Sequence, residues 1–240
     1  MERINKLLAH AGVASRRGVD ALIRDGKITV NGKVVTELGL RIDPGKDSVK
    51  VSGRRVPLRA EPHVYFMLNK PRGVVSTVSD PQGRRTVREL LKQIKQRLFP
   101  VGRLDYASEG LLLMTNDGDL ARDLTHPSTH VPKGYRVKVR GRPDEKALQR
   151  LREGVFVDGK KTAPCEVRIE KRGEHSWLRM TLFEGRNQQI RKMMLAIRHP
   201  VLKLKRVSIG GLGLGDLETG QYRPLTPREV ERLRSACQSG

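Results

Sequence analysis

The chain is 240 residues long and carries 48 Lys and Arg against 26 Asp and Glu, a net charge of +22 at neutral pH. A one-signed charge of that size makes an anionic partner the first hypothesis, ahead of a merely solvated basic surface. Two cysteines, Cys165 and Cys237, show neither CxxC spacing nor a nearby His pair, so no zinc site is legible, and no run approaches the roughly 18 apolar residues of a membrane span. Residues 1–60 hold 13 Lys and Arg against 6 Asp and Glu, so +7, and the other 180 residues carry +15. Both parts can therefore meet phosphate. The start, MERINKLLAHAGVASRR, has charges inside it and does not read as a signal peptide. A cytoplasmic protein with reduced thiols is expected, without a membrane partner.

In chain order, Ile4, Leu7, Leu8 and Ala11 fall at helical spacing, and Gly12 ends that run. Ser15 can cap a second helix whose apolar residues are Val19, Leu22 and Ile23, with Gly26 as its stop. In ITVNGKVV, Asn31-Gly32 between β-branched runs is a strong hairpin signal, because a type I′ turn needs positive φ at both positions. SVKVSGRRVPL reads as one further strand. The result is a helix–helix–hairpin unit over 1–58, too small for much core, followed by a linker at 59–63. Arg16 and Arg17 stand where the second helix begins. Cations there oppose the macrodipole at about 0.3–1 kcal/mol each, a cost that points to a phosphate partner.

Residues 64–236 mix strands and helices without strict βαβ alternation, which predicts an α+β domain with a mostly antiparallel mixed sheet. VYFMLNK is a strand. Thr86 and Glu89 form a capping box before the helix VRELLKQI. GLLLMT is a buried strand, and Asp117 caps GDLARDL. GYRVKVRG is a strand, DEKALQRLREG a helix, and CEVRIEKR with HSWLRMTLF a strand pair in which Trp177 packs. NQQIRKMMLAI is helical and LKLKRVSIG a strand. Thr226-Pro227-Arg228-Glu229 joins a capping box to a proline at the first helical position.

The densest chemical signal is GRLDYASEGLLLMTNDGDLA, 102–121, where a loop between apolar strands holds Arg103, Asp105, Ser108 and Glu109. Loops fixed by rigid strands commonly carry catalytic groups, although a lone loop aspartate is more often a turn or ion-pair residue. This stretch resembles the signature that surrounds the catalytic aspartate of bacterial ribosomal RNA pseudouridine synthases of the small- and large-subunit type. FMLNKPRGVVST, KGYRVKVRG, LFEGRNQQIRKMM and QYRPLTPREV resemble further blocks of that family in the same order. LLAHAGVASRRGVDALIRDGKITVNGKVV resembles the alpha-L RNA-binding domain named after the fourth small-subunit ribosomal protein. The likeness spans nearly the whole chain.

The resemblance implies that Asp105 attacks the uracil ring or the ribose anomeric carbon of a uridine in ribosomal RNA. The glycosidic bond breaks, the base turns, and its carbon five rejoins the sugar. It implies that Arg191 pairs with Asp105 and that Tyr135 packs on the uracil and helps to remove a proton. Arg103 would enter the RNA where the target base leaves, offsetting part of the few kcal/mol that flipping costs. Lys70, Arg72, Lys133, Arg186, Arg16 and Arg17 are expected on the RNA. No redox change or hydrolysis occurs, so no cofactor or metal is expected, and the protein is expected to act as a monomer on ribosomal RNA or an assembling subunit. Ala107, Tyr106 and Glu109 fall at variable positions of the signature and leave the target nucleotide open, with a large-subunit target favoured over a small-subunit one. Two rival readings are weighed. A methyltransferase would need a Gly-rich loop before a helix, and GGLGLG, 210–215, has the wrong spacing and no helix after it. A non-catalytic assembly factor would have little use for Asp105 and Tyr135.

Overall fold

The computed structural model describes residues 1–58 and 61–238, and the chain divides into two units, Met1–His63 and Val64–Gly240. Two residues of the expected linker, 59 and 60, lie outside the described residues, and Glu61 is tied to the first unit by its N–H, which donates to the His10 carbonyl.

The first unit opens with a two-residue strand, β1 (Glu2–Arg3), and two helices, α1 (Ile4–His10) and α2 (Arg16–Arg24). Ser15 caps α2 by accepting from the Gly18 N–H at 2.9 Å, which satisfies one of the donors a helix start leaves open. Strands β2 (Ile28–Val30) and β3 (Lys33–Val34) meet at Asn31-Gly32, both at positive φ, 52° and 84°. β4 (Arg41–Ile42) pairs β1. The stretch expected as one strand is a second hairpin, β5 (Val49–Val51) and β6 (Arg54–Arg55). Its turn is Ser52-Gly53, at φ 48° and 79°, the same two-residue geometry reached with a serine in the left-handed position. Nine apolar residues, among them Ile4, Leu8, Val19, Ile23 and Val49, form a buried core in this unit, more than its size suggested.

The second unit is a nine-stranded sheet. Its strands are β7 (Tyr65–Lys70), β8 (Phe99–Val101), β9 (Glu109–Thr115), β10 (Lys133–Val139), β13 (Glu166–Lys171), β14 (Ser176–Leu182), β15 (Val201–Ile209), β16 (Leu212–Gly213) and β17 (Tyr222–Pro224). A separate small hairpin holds β11 (Phe156–Val157) and β12 (Lys160–Lys161). The main order is β13-β14-β10-β15-β9-β7-β17, with β16 on β15 and β8 on β9. Its pairs are antiparallel except β9 with β15. The period of two in a strand splits GLLLMT between two cores. Leu112 and Met114 face the helices α3 (Val87–Leu90), α5 (Glu145–Glu153) and α6 (Gln189–Ala196), together with Leu151 and Met193. Leu111 and Leu113 face α4 (Gly118–Thr125) and α7 (Pro227–Gln238), together with Leu120 and Leu233.

The helix expected over VRELLKQI stops after one turn. Its capping box is present, with the Thr86 N–H donating to Glu89 at 2.8 Å, but the Arg88 guanidinium folds back onto the carbonyls of Leu91 and Ile94 and closes the chain into a turn. Trp177 lies half-buried on the strand face away from the core, with the Arg136 guanidinium 5.1 Å from its ring centroid. Gly210 and Gly211, at φ 54° and 77°, form the β15–β16 hairpin turn, so GGLGLG is a turn and no nucleotide loop.

At the end of the sheet, Thr226 and Glu229 close the capping box of α7, and Glu229 also takes a bidentate pair from Arg223 at 2.8 and 2.6 Å. Arg223 and Thr226 hold the Glu229 carboxyl down at about 2, against an ordinary 4.5. A carboxyl depressed on folding contributes stability that is present above its unfolded value and is lost as pH falls through its folded one. In Glu229→Gln, the stability deficit measured by urea unfolding is expected to be full at pH 6, to shrink below about pH 4.5 and to vanish near pH 2. A deficit independent of pH counts against the ion pair as its source.

Candidate active site

The 104–108 loop between β8 and β9 is latched to the 70–76 segment at four points. The Lys70 ammonium donates to the Asp105 carbonyl at 3.2 Å, to Ser108 at 2.8 Å and to Pro71 at 2.9 Å. The Gly73 N–H donates to the Tyr106 carbonyl at 2.8 Å. The Ser76 hydroxyl donates to the Leu104 carbonyl at 2.8 Å and accepts from the Leu104 N–H. Every loop residue from Leu104 to Ser108 except Ala107 is thus fixed through its backbone, and the Asp105 side chain is left free to face outward, 29% exposed.

Arg191 reaches the same loop from the first turn of α6. Its Nε stands 4.0 Å from Asp105 Oδ2, and its Nη2 donates to the Ala107 carbonyl at 3.2 Å and to the Ser108 hydroxyl at 3.3 Å. The planar guanidinium therefore spans loop backbone and carboxylate at once, which an ammonium could not. The turn before α6 is itself cross-braced. Glu184 accepts from the Ala163 N–H and the Gln189 amide, Gln189 accepts from the Arg186 N–H, and Gln188 takes a left-handed φ of 52°.

A cleft opens between the loop and that turn, lined by Arg103, Asp105, Tyr135, Lys133, Arg186 and Arg206. A smaller recess beside it is lined by Leu104, Tyr135, Leu182, Ile190 and Leu204 together with Asp105. Tyr135 is 9% exposed and projects from β10. Asp105, Tyr135 and Arg191 thus meet at one place, as do Arg103, which is exposed, and Arg186. Arg72 is exposed on the turn after β7. Arg16 and Arg17 are both exposed, in the first turn of α2 of the other unit.

Lys70 requires a correction. It is 0% exposed, and its ammonium meets three carbonyls of its own chain, so it holds the loop and does not contact RNA. Burial pulls its pKa down to about 8, against the opposing pull of Asp105 and Glu109. Arg186 differs: it lines the cleft and stays 34% exposed while its guanidinium also meets Glu184 and the carbonyls of Lys160 and Lys161. Lys133 donates to the Val131 carbonyl, and burial followed by nearby Arg206 lowers its pKa. Asp117 is a helix cap. Its Oδ1 accepts from the N–H groups of Asp119 and Leu120, and its Oδ2 meets Tyr65 and Arg234.

Residues 64–196 match the RNA pseudouridylate synthase family, and residues 2–48 match the S4 domain. The chain belongs to the RNA pseudouridylate synthase family. It is 48% identical to ribosomal large subunit pseudouridine synthase B of Bacillus subtilis, over 100% of this chain and 98% of that protein. It is 42% identical to an uncharacterized RNA pseudouridine synthase of Aquifex aeolicus, over 98% of this chain and 94% of that one. A crystal structure of a pseudouridylate synthase superposes with a TM-score of 0.69 at 30% identity, covering 97% of this chain and all of the other.

This pseudouridylate synthase also uses residues that the sequence reading passed over. Ser76 had no distinguishing pattern. Gly110 is needed because β9 and β15 run very close: a Cβ there would stand 2.1 Å from the Arg206 carbonyl oxygen. Arg206 itself left a trace, because in LKLKRVSI it shares the inward phase with Leu204, where a charge is out of place. Replacing Lys70 by Met keeps the volume but leaves buried carbonyls without a donor, at about 1–3 kcal/mol for each group left unmet. We expect Lys70→Met to lose about 2–4 kcal/mol in urea unfolding and pseudouridine formation to fall by more than about tenfold. Unchanged stability with full turnover contradicts the latch.

Proposed function

We propose that this enzyme converts a uridine of large-subunit ribosomal RNA to pseudouridine with Asp105 as its nucleophile. The observation that carries the reading is the Asp105 carboxylate, 4.0 Å from Arg191 Nε, in a recess that Tyr135 also lines. The name of the Bacillus subtilis relative supports the large subunit as the source of the RNA. The net charge of +22 suits an RNA of that size. We assign RNA binding to residues 1–58 and catalysis to residues 64–236, and place the enzyme in the cytoplasm as a monomer.

The reaction is an isomerisation. The bond from ribose carbon one to uracil nitrogen one breaks, a bond from the same ribose carbon to uracil carbon five forms, carbon five loses its proton and nitrogen one gains one. A carboxylate serves because it can form a covalent link to the substrate and leave again without a metal or a carrier. Arg191 and the latched loop hold it at a fixed place, so little orientation is lost in reaching the reactive geometry. The recess sets Leu104, Leu182, Ile190 and Leu204 beside polar groups of Asp105, Ser108 and Gln189, a mixed lining that suits a flipped uracil, with Tyr135 against its face and Arg103 to fill the space the base vacates.

Asp105→Asn is isosteric and cannot act as nucleophile. It is expected to abolish pseudouridine formation on ribosomal RNA, read by site mapping, with RNA affinity within about threefold of the native enzyme. Arg191→Ala is expected to cost about 10²–10⁴-fold in turnover. Arg191→Lys recovers part of that, and Lys192→Ala affects mainly affinity. Substantial product from Asp105→Asn sinks the assignment. Arg16→Ala with Arg17→Ala removes two exposed charges, and the slope of log affinity on log salt is expected to flatten by roughly 1.4, at about 0.7 per phosphate contact on single strands. An unchanged slope in a fluorescence titration shows that this helix start does not touch the RNA.

A further inference from the structure

Arg206 stands on β15 with only 3% of its surface exposed, yet it lines the cleft beside Asp105. In the register of the sheet it is the neighbour of Tyr135 on one side and of Gly110 on the other. A guanidinium has five N–H donors and no acceptor. Nε donates to the Leu111 carbonyl at 2.7 Å. Among the described residues, Nη2 is fully buried with no hydrogen-bond partner, and no carboxylate is within ion-pair distance of Arg206.

An arginine buried without a counter-charge costs several kcal/mol unless something meets it. The neighbours sharpen the problem. Lys133 lines the same cleft and Lys70 lies behind it, and the ammonium groups of both donate to backbone carbonyls. Arg206 weighs electrostatically against the charged form of each lysine, which places the three cations close enough to repel. Asp105 lines the same cleft but already has Arg191 against it, and Glu109, beside Gly110 on β9, is set against Lys205 in the register. A neutral base carbonyl would satisfy a donor and leave the excess charge. An anion satisfies both.

We propose that Arg206, with Lys133 beside it, forms a buried phosphate subsite that takes the RNA phosphodiester flanking the target uridine. The subsite anchors the flipped nucleotide by its backbone on the β15 side of the cleft, while the base enters the recess on the α6 side. A guanidinium suits this because its fork takes two phosphate oxygens at once. The proposal rests on reading the cleft as the RNA substrate site.

The test pairs a change in the RNA with a change in the protein. Substrate RNAs carry a neutral methylphosphonate in place of the phosphodiester on the 5′ or on the 3′ side of the target uridine, and control RNAs carry the same sugar modifications with ordinary phosphates. At one of the two linkages, the native enzyme is expected to lose about 100-fold in kcat/KM, the scale of a charge-assisted hydrogen-bonded pair. Arg206→Met is expected to lose a similar factor on the control RNA and to show less than threefold further loss with the neutral linkage. Arg206→Lys, which keeps the charge and serves if the Met variant does not fold, is expected to retain most of the sensitivity to the neutral linkage. A purely structural role for Arg206 would leave the two changes independent, so a loss at the neutral linkage in Arg206→Met equal to that of the native enzyme overturns the proposal. So does native turnover that ignores both neutral linkages. Either result with full native activity on control RNA, lost in Asp105→Asn, leaves the proposed function standing. No native turnover on control RNA defeats that function instead.

Discussion

A single buried ammonium holds in place the loop that carries Asp105. Lys70 ends β7, and its three donors are spent on Pro71, Asp105 and Ser108, so the strand that begins the catalytic unit also fixes the loop that carries the carboxylate. Without it, the loop carbonyls would point into protein with nothing to meet. With it, the loop backbone is satisfied from within and the Asp105 side chain owes nothing to loop stability. That separation leaves a carboxylate facing a cleft with Arg191 as its one charged neighbour at ion-pair distance among the described residues. The cost of keeping a lysine inside shows in its lowered pKa and is met by contacts that a smaller or uncharged residue could not reproduce.

The second constraint is the close passage of β9 and β15. It is the parallel pair in an otherwise antiparallel sheet, and it sets Glu109 and Gly110 against Lys205 and Arg206. Because Tyr135 pairs with Arg206 on the opposite side, one row of the sheet brings the end of the Asp105 loop, an arginine and a tyrosine together. A side chain at Gly110 would push the strands apart and widen that row. The shift in register between Gly134 and Tyr135 works in the same region, re-aiming β10 where it borders the cleft.

Much of this was legible in the sequence because local chemistry decides it. Ser15, Asp117 and Thr226 cap the helices they were expected to cap, and Asn31-Gly32 turns the hairpin. Arg191 falls in the first turn of its helix, facing the loop. The misses share a cause: non-local contacts override local pattern. VRELLKQI has helical spacing, but Arg88 finds carbonyls that end the helix early. Ser52-Gly53 carries weaker turn chemistry than Asn-Gly and still makes a hairpin, because β5 has β2 to pair with. Lys70 was taken for a surface charge because sequence gives residue type and spacing, while burial depends on a loop 35 positions away closing over it. Arg206 is subtler, a charge at an inward strand position whose meaning depends on which groups of other strands reach its guanidinium.

The strand order has a bearing on how the molecule comes into being. The first unit closes its core among residues of the first 58 positions, nearly all through neighbours in the chain. The catalytic sheet does the opposite: β9 waits for β15, and β7 waits for β17, whose Leu68–Tyr222 register spans most of the unit. Long loops of this kind are slow to close, because their entropy is lost before the contacts that repay it are made. A chain emerging from a ribosome therefore has the partners for its first unit well before it has those that complete the large sheet. Its buried cations stay in water, fully hydrated, until the final strands arrive to enclose them.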